Sequence, residues 1–186
     1  MGVLYVDGYN MIGAWPPLQT FFAAGEITLA REELIQLLSE FGKMRDLEIV
    51  IVFDAGGAPG REHHVQVSGL TVVYTAEGET ADTWIERAVS ARLREKAVRR
   101  VKQAKSDRVA EDTRIYVATS DRDEQTFVLG RGALRISARE LWEEVSGMRK
   151  EARQTMERWR SPGARVPLES HLPAHIREYF QKYRRK

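Results

Sequence analysis

The chain contains no cysteine. That excludes a disulfide framework and any thiolate-held zinc or redox centre. No stretch approaches the ~20 apolar residues of a membrane span. The first apolar run is about one strand long and already ends in an Asp, so it reads neither as a signal peptide nor as an anchor. There is no Walker motif, no GxGxxG fingerprint and no GxSxG elbow, so nucleotide-phosphate cradles and Ser-based acyl transfer have no foothold. The default expectation is a cytosolic protein, or a stromal one if this is the mature form of a targeted chain. A small-molecule cofactor and a membrane are expected to play no part.

What is present is a single-domain length, 186 residues, with charge unevenly spread. Residues 1–148 carry 18 Lys and Arg against 23 Asp and Glu, a balance of −5. Residues 149–186 carry 11 against 4, a balance of +7. The division expected is therefore a net-acidic domain over 1–148 and a basic helix end and tail over 149–186. Such a tail is an electrostatic handle for a polyanion.

The N-terminal stretch organises the rest. Val3, Leu4, Tyr5 and Val6 form a short apolar run that stops at Asp7-Gly8-Tyr9-Asn10. A run this short, bounded by turn residues, predicts a buried strand of a parallel sheet, with Asp7 at its carboxyl end. Ligands of open α/β sheets bind along that edge. Residues 47–53 repeat the device and end in Asp54. Residues 70–74, 113–118 and 133–136 read as three more strands. Residues 11–17 read as a loop entering a helix. A second helix is expected after Thr28, ending near Gly42, with a long one after the N-cap Thr80. A last helix, 138–159, is expected behind the capping box Ser137–Glu140. Ser120 with Asp123 loosely fits another capping box, and a short helix is expected at 174–182. His63 and His64 read as solvated loop residues, because adjacent positions cannot share one face. The fold class expected is α/β, a mostly parallel five-stranded sheet with helices on both faces.

Right-handed crossovers bring the ends of the strands at 3–6, 47–53 and 113–118 to one edge. Asp7, Asp54, Asp121 and the helix-start Asp82 then converge. Asp82 has a second possible role, since acids favour helix N-termini. Clustered carboxylates repel unless a hard cation joins them, and Mg²⁺ or Mn²⁺ takes one or two carboxylates plus waters and phosphate oxygens. Such an ion polarises a phosphodiester and activates water, so hydrolysis of a nucleic-acid backbone is the chemistry expected. From Arg92 to Arg108 there are eight Lys and Arg against Glu95 and Asp107. Arg92, Arg94, Arg99, Arg100, Lys102 and Arg122 are the candidates for contacts to that backbone. The pocket loops offer no dense set of aromatics for stacking bases, which predicts weak grip on free RNA. Two rivals remain: a Toprim-like metal site built on Asp121-x-Asp123, and a non-catalytic RNA-binding module.

Asp7-Gly8-Tyr9-Asn10-Met11-Ile12, Val52-Phe53-Asp54-Ala55, Glu79-Thr80-Ala81-Asp82 and Thr119-Ser120-Asp121 together resemble the NYN branch of the PIN-like nucleases. The stretch from Gly130 to Leu141, GRGALRISAREL, narrows the resemblance to the YacP-like proteins. It covers residues 2–145 and implies a three-layer PIN-like fold with metal-dependent RNA cleavage. The best-understood relative cuts mRNA in the ribosomal A site, so RNA and the ribosome are the partners implied. By resemblance, Asp7, Asp82 and Asp121 are the metal-binding acids, with Asn10 and Asp54 as supporting polar residues. Asp123 has no counterpart in that set.

Overall fold

The structure, a computed structural model, describes residues 2–55, 60–103, 114–119 and 132–160. Its centre is β1 (Gly2–Asp7), whose five leading residues are buried. β2 (Leu47–Phe53) lies parallel on one side, with Leu4 opposite Ile49 and Asp7 opposite Val52. β5 (Arg114–Ala118) lies parallel on the other, with Tyr5 opposite Val117. β4 (Leu70–Tyr74) extends the sheet beyond β2, and β6 (Leu134–Ile136) extends it beyond β5. An antiparallel edge strand, β3 (His63–Val67), completes the order β3-β4-β2-β1-β5-β6. Chain order therefore reverses at β1. That is the switch point where an open parallel sheet leaves a crevice at its carboxyl edge.

Five helices are present among the described residues. α1 (Gly8–Ala14), α2 (Pro16–Ala23) and α3 (Ile27–Arg45) follow β1, α4 (Ala81–Gln103) follows β4, and α5 (Ala138–Arg160) ends the described chain. Strand alternation sorts the core into two layers. Val3 and Tyr5 of β1, Val50 and Val52 of β2, Val73 of β4, and Ile115 and Val117 of β5 meet Ala81, Trp84, Ile85 and Val89 of α4. Leu4, Val6, Ile49, Ile51 and Phe53 occupy the other face, where α1 and α3 pack. The result is the expected α/β arrangement of three layers, with six strands rather than five.

The sixth strand is β3, so His63 and His64 are strand residues and not loop residues. They stay exposed, and alternation sends them to opposite faces. The turn into β4 is two residues long, with Ser68 at φ 55° and Gly69 at φ 88°, and Val67 pairs with Leu70 across it. Positive φ at both central positions is the type I′ geometry that matches strand twist. Residues 8–14 are a helix and not a loop. Asp7 caps it, and it ends at the extended Trp15 before Pro16. α3 starts at Ile27 with Glu26 at the N-cap, ahead of Thr28, and runs past Gly42 to Arg45, where Asp46 adopts the left-handed conformation at φ 52°. The Ser137–Glu140 capping box forms in both directions, at 2.7 and 3.1 Å. The expected segments at 120–129 and 174–182 lie outside the described residues. The chain divides into two compact units, Met1–Ser146, which holds the sheet, and Gly147–Lys186.

Candidate active site

Asp7 stands at the end of the central strand and is simultaneously the N-cap of α1, accepting the Asn10 backbone N–H at 2.9 Å. Burial pushes its carboxyl up to about 6. The Asn10 amide opposes that rise, and the neighbouring carboxylates of Asp82 and Asp54 add to it. The three acids therefore share one field, as strand parity requires. Asp7 continues the Val3–Tyr5 face towards α4, and Asp54 continues the Val50–Val52 face.

Asp54 accepts the N–H of Ala81, the first residue of α4, and so fixes where that helix begins. Thr80 supplies the second cap, its Oγ1 taking the Thr83 N–H at 3.2 Å. Asp82, one residue into α4, is held at the edge with a buried Oδ1. Thr75 is the residue that sequence reasoning missed here. It is 2% exposed, its N–H donates to Phe53 O at 3.0 Å, and its Oγ1 accepts from Ala55 N at 3.1 Å and donates to Glu79 O at 2.7 Å. One hydroxyl thus ties the end of β2 to the turn before α4, and with it Asp54 to Asp82. Asn10 reaches Asp7 through its main chain. Asp121, Arg122 and Asp123 lie outside the described residues.

Among the described residues no three His, Asp or Glu side chains form a chelating group. The described acids still suit one class of ion. Their donors are all oxygens, Asp82 Oδ1 is buried, and Asp7 retains a proton unusually far up the pH scale, chiefly through burial and further through the excess of negative charge. A hard cation needs only one or two carboxylates and completes its shell with water and phosphate oxygens.

The same edge also holds an aromatic cluster, carried by α1, β2, β3 and β4 rather than by the loops. Tyr9 meets Phe53 edge-on at 5.1 Å, Phe53 stacks on Tyr74 at 5.7 Å, and His63 stacks on Tyr74 at 4.7 Å and 14°. Arg31 of α3 lies over the Tyr9, Phe53 and Tyr74 rings at 5.2, 5.5 and 5.9 Å and donates to the Tyr9 hydroxyl. Gly8 makes room for this packing, because a Cβ there would overlap the Phe53 ring.

The basic run lies elsewhere. Arg92 gives its Nη2 to both Glu48 oxygens at 2.6 and 2.7 Å and its Nε to the Tyr5 hydroxyl at 3.4 Å, near the sheet's amino edge. Arg94 and Arg99 are exposed. At 1.5 Å per residue they stand about 18 and 26 Å along α4 from Asp82. Arg100 and Lys102 belong to the same helix, outside the residues whose side chains are described. Beside the acids, Arg87 bridges Glu62 at 2.7 Å and Glu79 at 2.9 Å. That ion pair, with the His64 ring at 2.7 Å, holds the Glu62 carboxyl at about 2 against the opposing effect of burial.

Comparison with known proteins places this geometry. The YacP-like NYN domain model matches residues 4–185. A curated relative, "Uncharacterized protein YacP" of Bacillus subtilis (strain 168), is 35% identical over 187 residues, spanning 100% of this chain and 98% of its own. The crystal structure of a mutant of Rae1 (YacP) from Bacillus subtilis superposes with a TM-score of 0.64 at 33% identity, covering 98% of this chain and 99% of that one. A second crystal structure of Rae1 (YacP) from the same organism gives a TM-score of 0.62 at 36% identity, over 100% and 95%.

Proposed function

The chain belongs to the YacP-like NYN family of nuclease-type domains, and from that premise we propose that it is a metal-dependent endoribonuclease whose substrate is mRNA on the translating ribosome. The observation that carries the reading is the gathering of Asp7, Asp54 and Asp82 at the switch point of the sheet, where burial and the two neighbouring acids raise the Asp7 carboxyl to about 6.

Asp7 and Asp82, joined by Asp121, are the residues that would hold Mg²⁺ or Mn²⁺. Bound there, such an ion polarises the scissile phosphodiester and lowers the pKa of a water at the same phosphate. The chain's own contribution is placement. Asp54 and Thr75 fix the start of α4, so Asp82 meets Asp7 without a search. The backbone N–H groups of Asn10 and Tyr9, in the first turn of α1, orient the Asp7 carboxyl. Holding reactants in register in this way is worth several kcal/mol of barrier.

The ribosome enters through charge. The acids sit at one edge, whereas exposed Arg94 and Arg99 and the +7 balance of residues 149–186 lie elsewhere in the chain. A large RNA surface gripped by the cations would leave the acidic edge free for the message. The test is a reconstituted translation reaction on a defined message, with ends mapped by primer extension, against the same RNA alone. Cuts confined to the translated message and lost in Asp82→Asn support the reading. Equal cutting of naked RNA removes the ribosome from it, and no cutting of either removes the nuclease.

A further inference from the structure

The aromatic cluster at the acidic edge is more than core. Phe53 is fully buried, but Tyr9 and Tyr74 are only half-buried and His63 is exposed. The His63 and Tyr74 rings are nearly parallel, 14° apart at 4.7 Å, on an edge strand that solvent reaches. Arg31 is held over the Tyr9, Phe53 and Tyr74 rings. Among the described residues no carboxylate pairs with its guanidinium. Its Nε–H is buried with no acceptor there. An Nε–H without an acceptor on a part-buried guanidinium favours a ligand, because buried donors are nearly always satisfied. The Asp54 and Asp82 carboxylates cannot serve without being drawn off the α4 side of the sheet, and the Asp7 carboxylate is engaged at the N-terminus of α1. Phe53 faces the α1 and α3 side, and Asp54, the next residue, faces α4. The cation and the acids are thus kept on opposite lips of one edge.

We propose that Tyr9, Arg31, Tyr74 and His63 form a nucleotide subsite that takes one residue of single-stranded RNA beside the scissile phosphate, its base stacked on the His63–Tyr74 pair and its phosphate facing Arg31. The subsite rests on the nuclease reading for what lies next to it, and its own binding can be read without cleavage. Aromatic faces accept any base, so the subsite positions the strand without selecting a sequence. Arginine suits the phosphate because its planar fork presents several donors to one anion. A strand crossing from this lip to the other places the neighbouring phosphodiester over Asp7 and Asp82.

The experiment titrates the full-length protein, in EDTA, with fluorescein-labelled single-stranded RNA and with a series of the same oligonucleotide carrying one abasic position each. For the wild type, one abasic position should weaken binding by about 5- to 150-fold, the value of one base–aromatic stack, while the others change little. His63→Ala, an exposed substitution, and Tyr74→Ala should lower affinity for the intact RNA and erase the penalty at that position. Arg31→Met should reduce the slope of log affinity against log salt by about 0.7, and Arg31→Lys should restore it. A flat abasic scan, or variants that bind as the wild type does, overturns the subsite. If the scan shows the stacked position but the wild type with Mg²⁺ cuts no RNA, the subsite stands and the nuclease reading falls. If the wild type cuts and the scan is flat, the reverse holds.

Discussion

Replacing Asp7 by Asn should stabilise the metal-free protein at neutral pH, although it removes a residue at the heart of the site. The Asp7 carboxyl is raised by burial and by Asp82 and Asp54 from its ordinary 3.8 to about 6. A folded-state pKa above the unfolded one means that the native protein holds a proton the unfolded chain has already lost. Stability from this group is complete below pH 4, falls as pH rises through 6, and is gone above it. At 1.36 kcal/mol per pH unit, the charged form costs ~3 kcal/mol at pH 7.5. Two effects oppose the gain. The Asp7 carboxylate interacts with the N-terminus of α1, worth about 0.3–1 kcal/mol. It also accepts the Asn10 amide, but an Asn caps nearly as well as an Asp. Burial is the largest of these influences, so the net is a stabilisation of about 2 kcal/mol, or roughly 4–8 °C for a chain of this size. The assay is a pair of thermal melts in EDTA across pH 4 to 8. The wild type should fall away from Asp7→Asn as pH rises from 4 to 7, and the two should converge at pH 4. An Asn variant that is less stable at pH 7.5, or a gap that does not depend on pH, would refute the reasoning and make the Asp7 charge a structural asset.

Asp54→Ala should cost about 0.5–2 kcal/mol by removing the acceptor of the Ala81 N–H, and should slow cleavage by loosening Asp82; urea titration and turnover on one preparation check both. Gly8→Ala should cost about 1–3 kcal/mol, because its methyl must displace the Phe53 ring, and the near-ultraviolet dichroism of the ring cluster should change with it. Arg92→Ala should leave RNA affinity unaltered while costing at most about 1 kcal/mol, since its guanidinium is held by Glu48 at the surface; filter binding and a thermal melt check the pair. Arg94→Ala with Arg99→Ala should instead flatten the salt dependence of RNA or ribosome binding, measured by co-sedimentation over a range of KCl.

The acidic edge was legible in the sequence because a buried parallel strand advertises itself as an unbroken apolar run. A carboxylate at the end of such a run has few structural excuses. Asp7 and Asp54 follow from that argument alone, and the Ser137–Glu140 box from capping chemistry. β3 escaped because His63, His64, Val65 and Gln66 are all exposed, so no alternation marks them. The signal available was the Ser68-Gly69 pair in front of residues 70–74, a two-residue hairpin turn. α1 escaped because seven residues are too few for a periodic stripe, and its Asp7 cap looked like a site residue only. Arg31 and Arg92 were illegible for a different reason. A lone Arg on an amphipathic helix looks solvated, and the partners of Arg31 come from three separate segments, around residues 9, 53 and 74. The basic run concealed that one member, Arg92, is taken by a glutamate 44 residues away.

The central claim is that Asp82 and its neighbours hold a divalent ion that cleaves RNA, and the most direct measurement is the rate of strand scission with the ion added and withheld. A translated, end-labelled message is incubated with wild type, Asp82→Asn and Asp123→Asn, each in Mg²⁺ and in EDTA. The account predicts discrete products from the wild type and Asp123→Asn in Mg²⁺. It predicts none in EDTA, and a loss of at least about 100-fold for Asp82→Asn without loss of thermal stability, the scale expected when a group acting at the transition state is removed. Full activity in Asp82→Asn with loss in Asp123→Asn would contradict it, and so would scission that persists in EDTA.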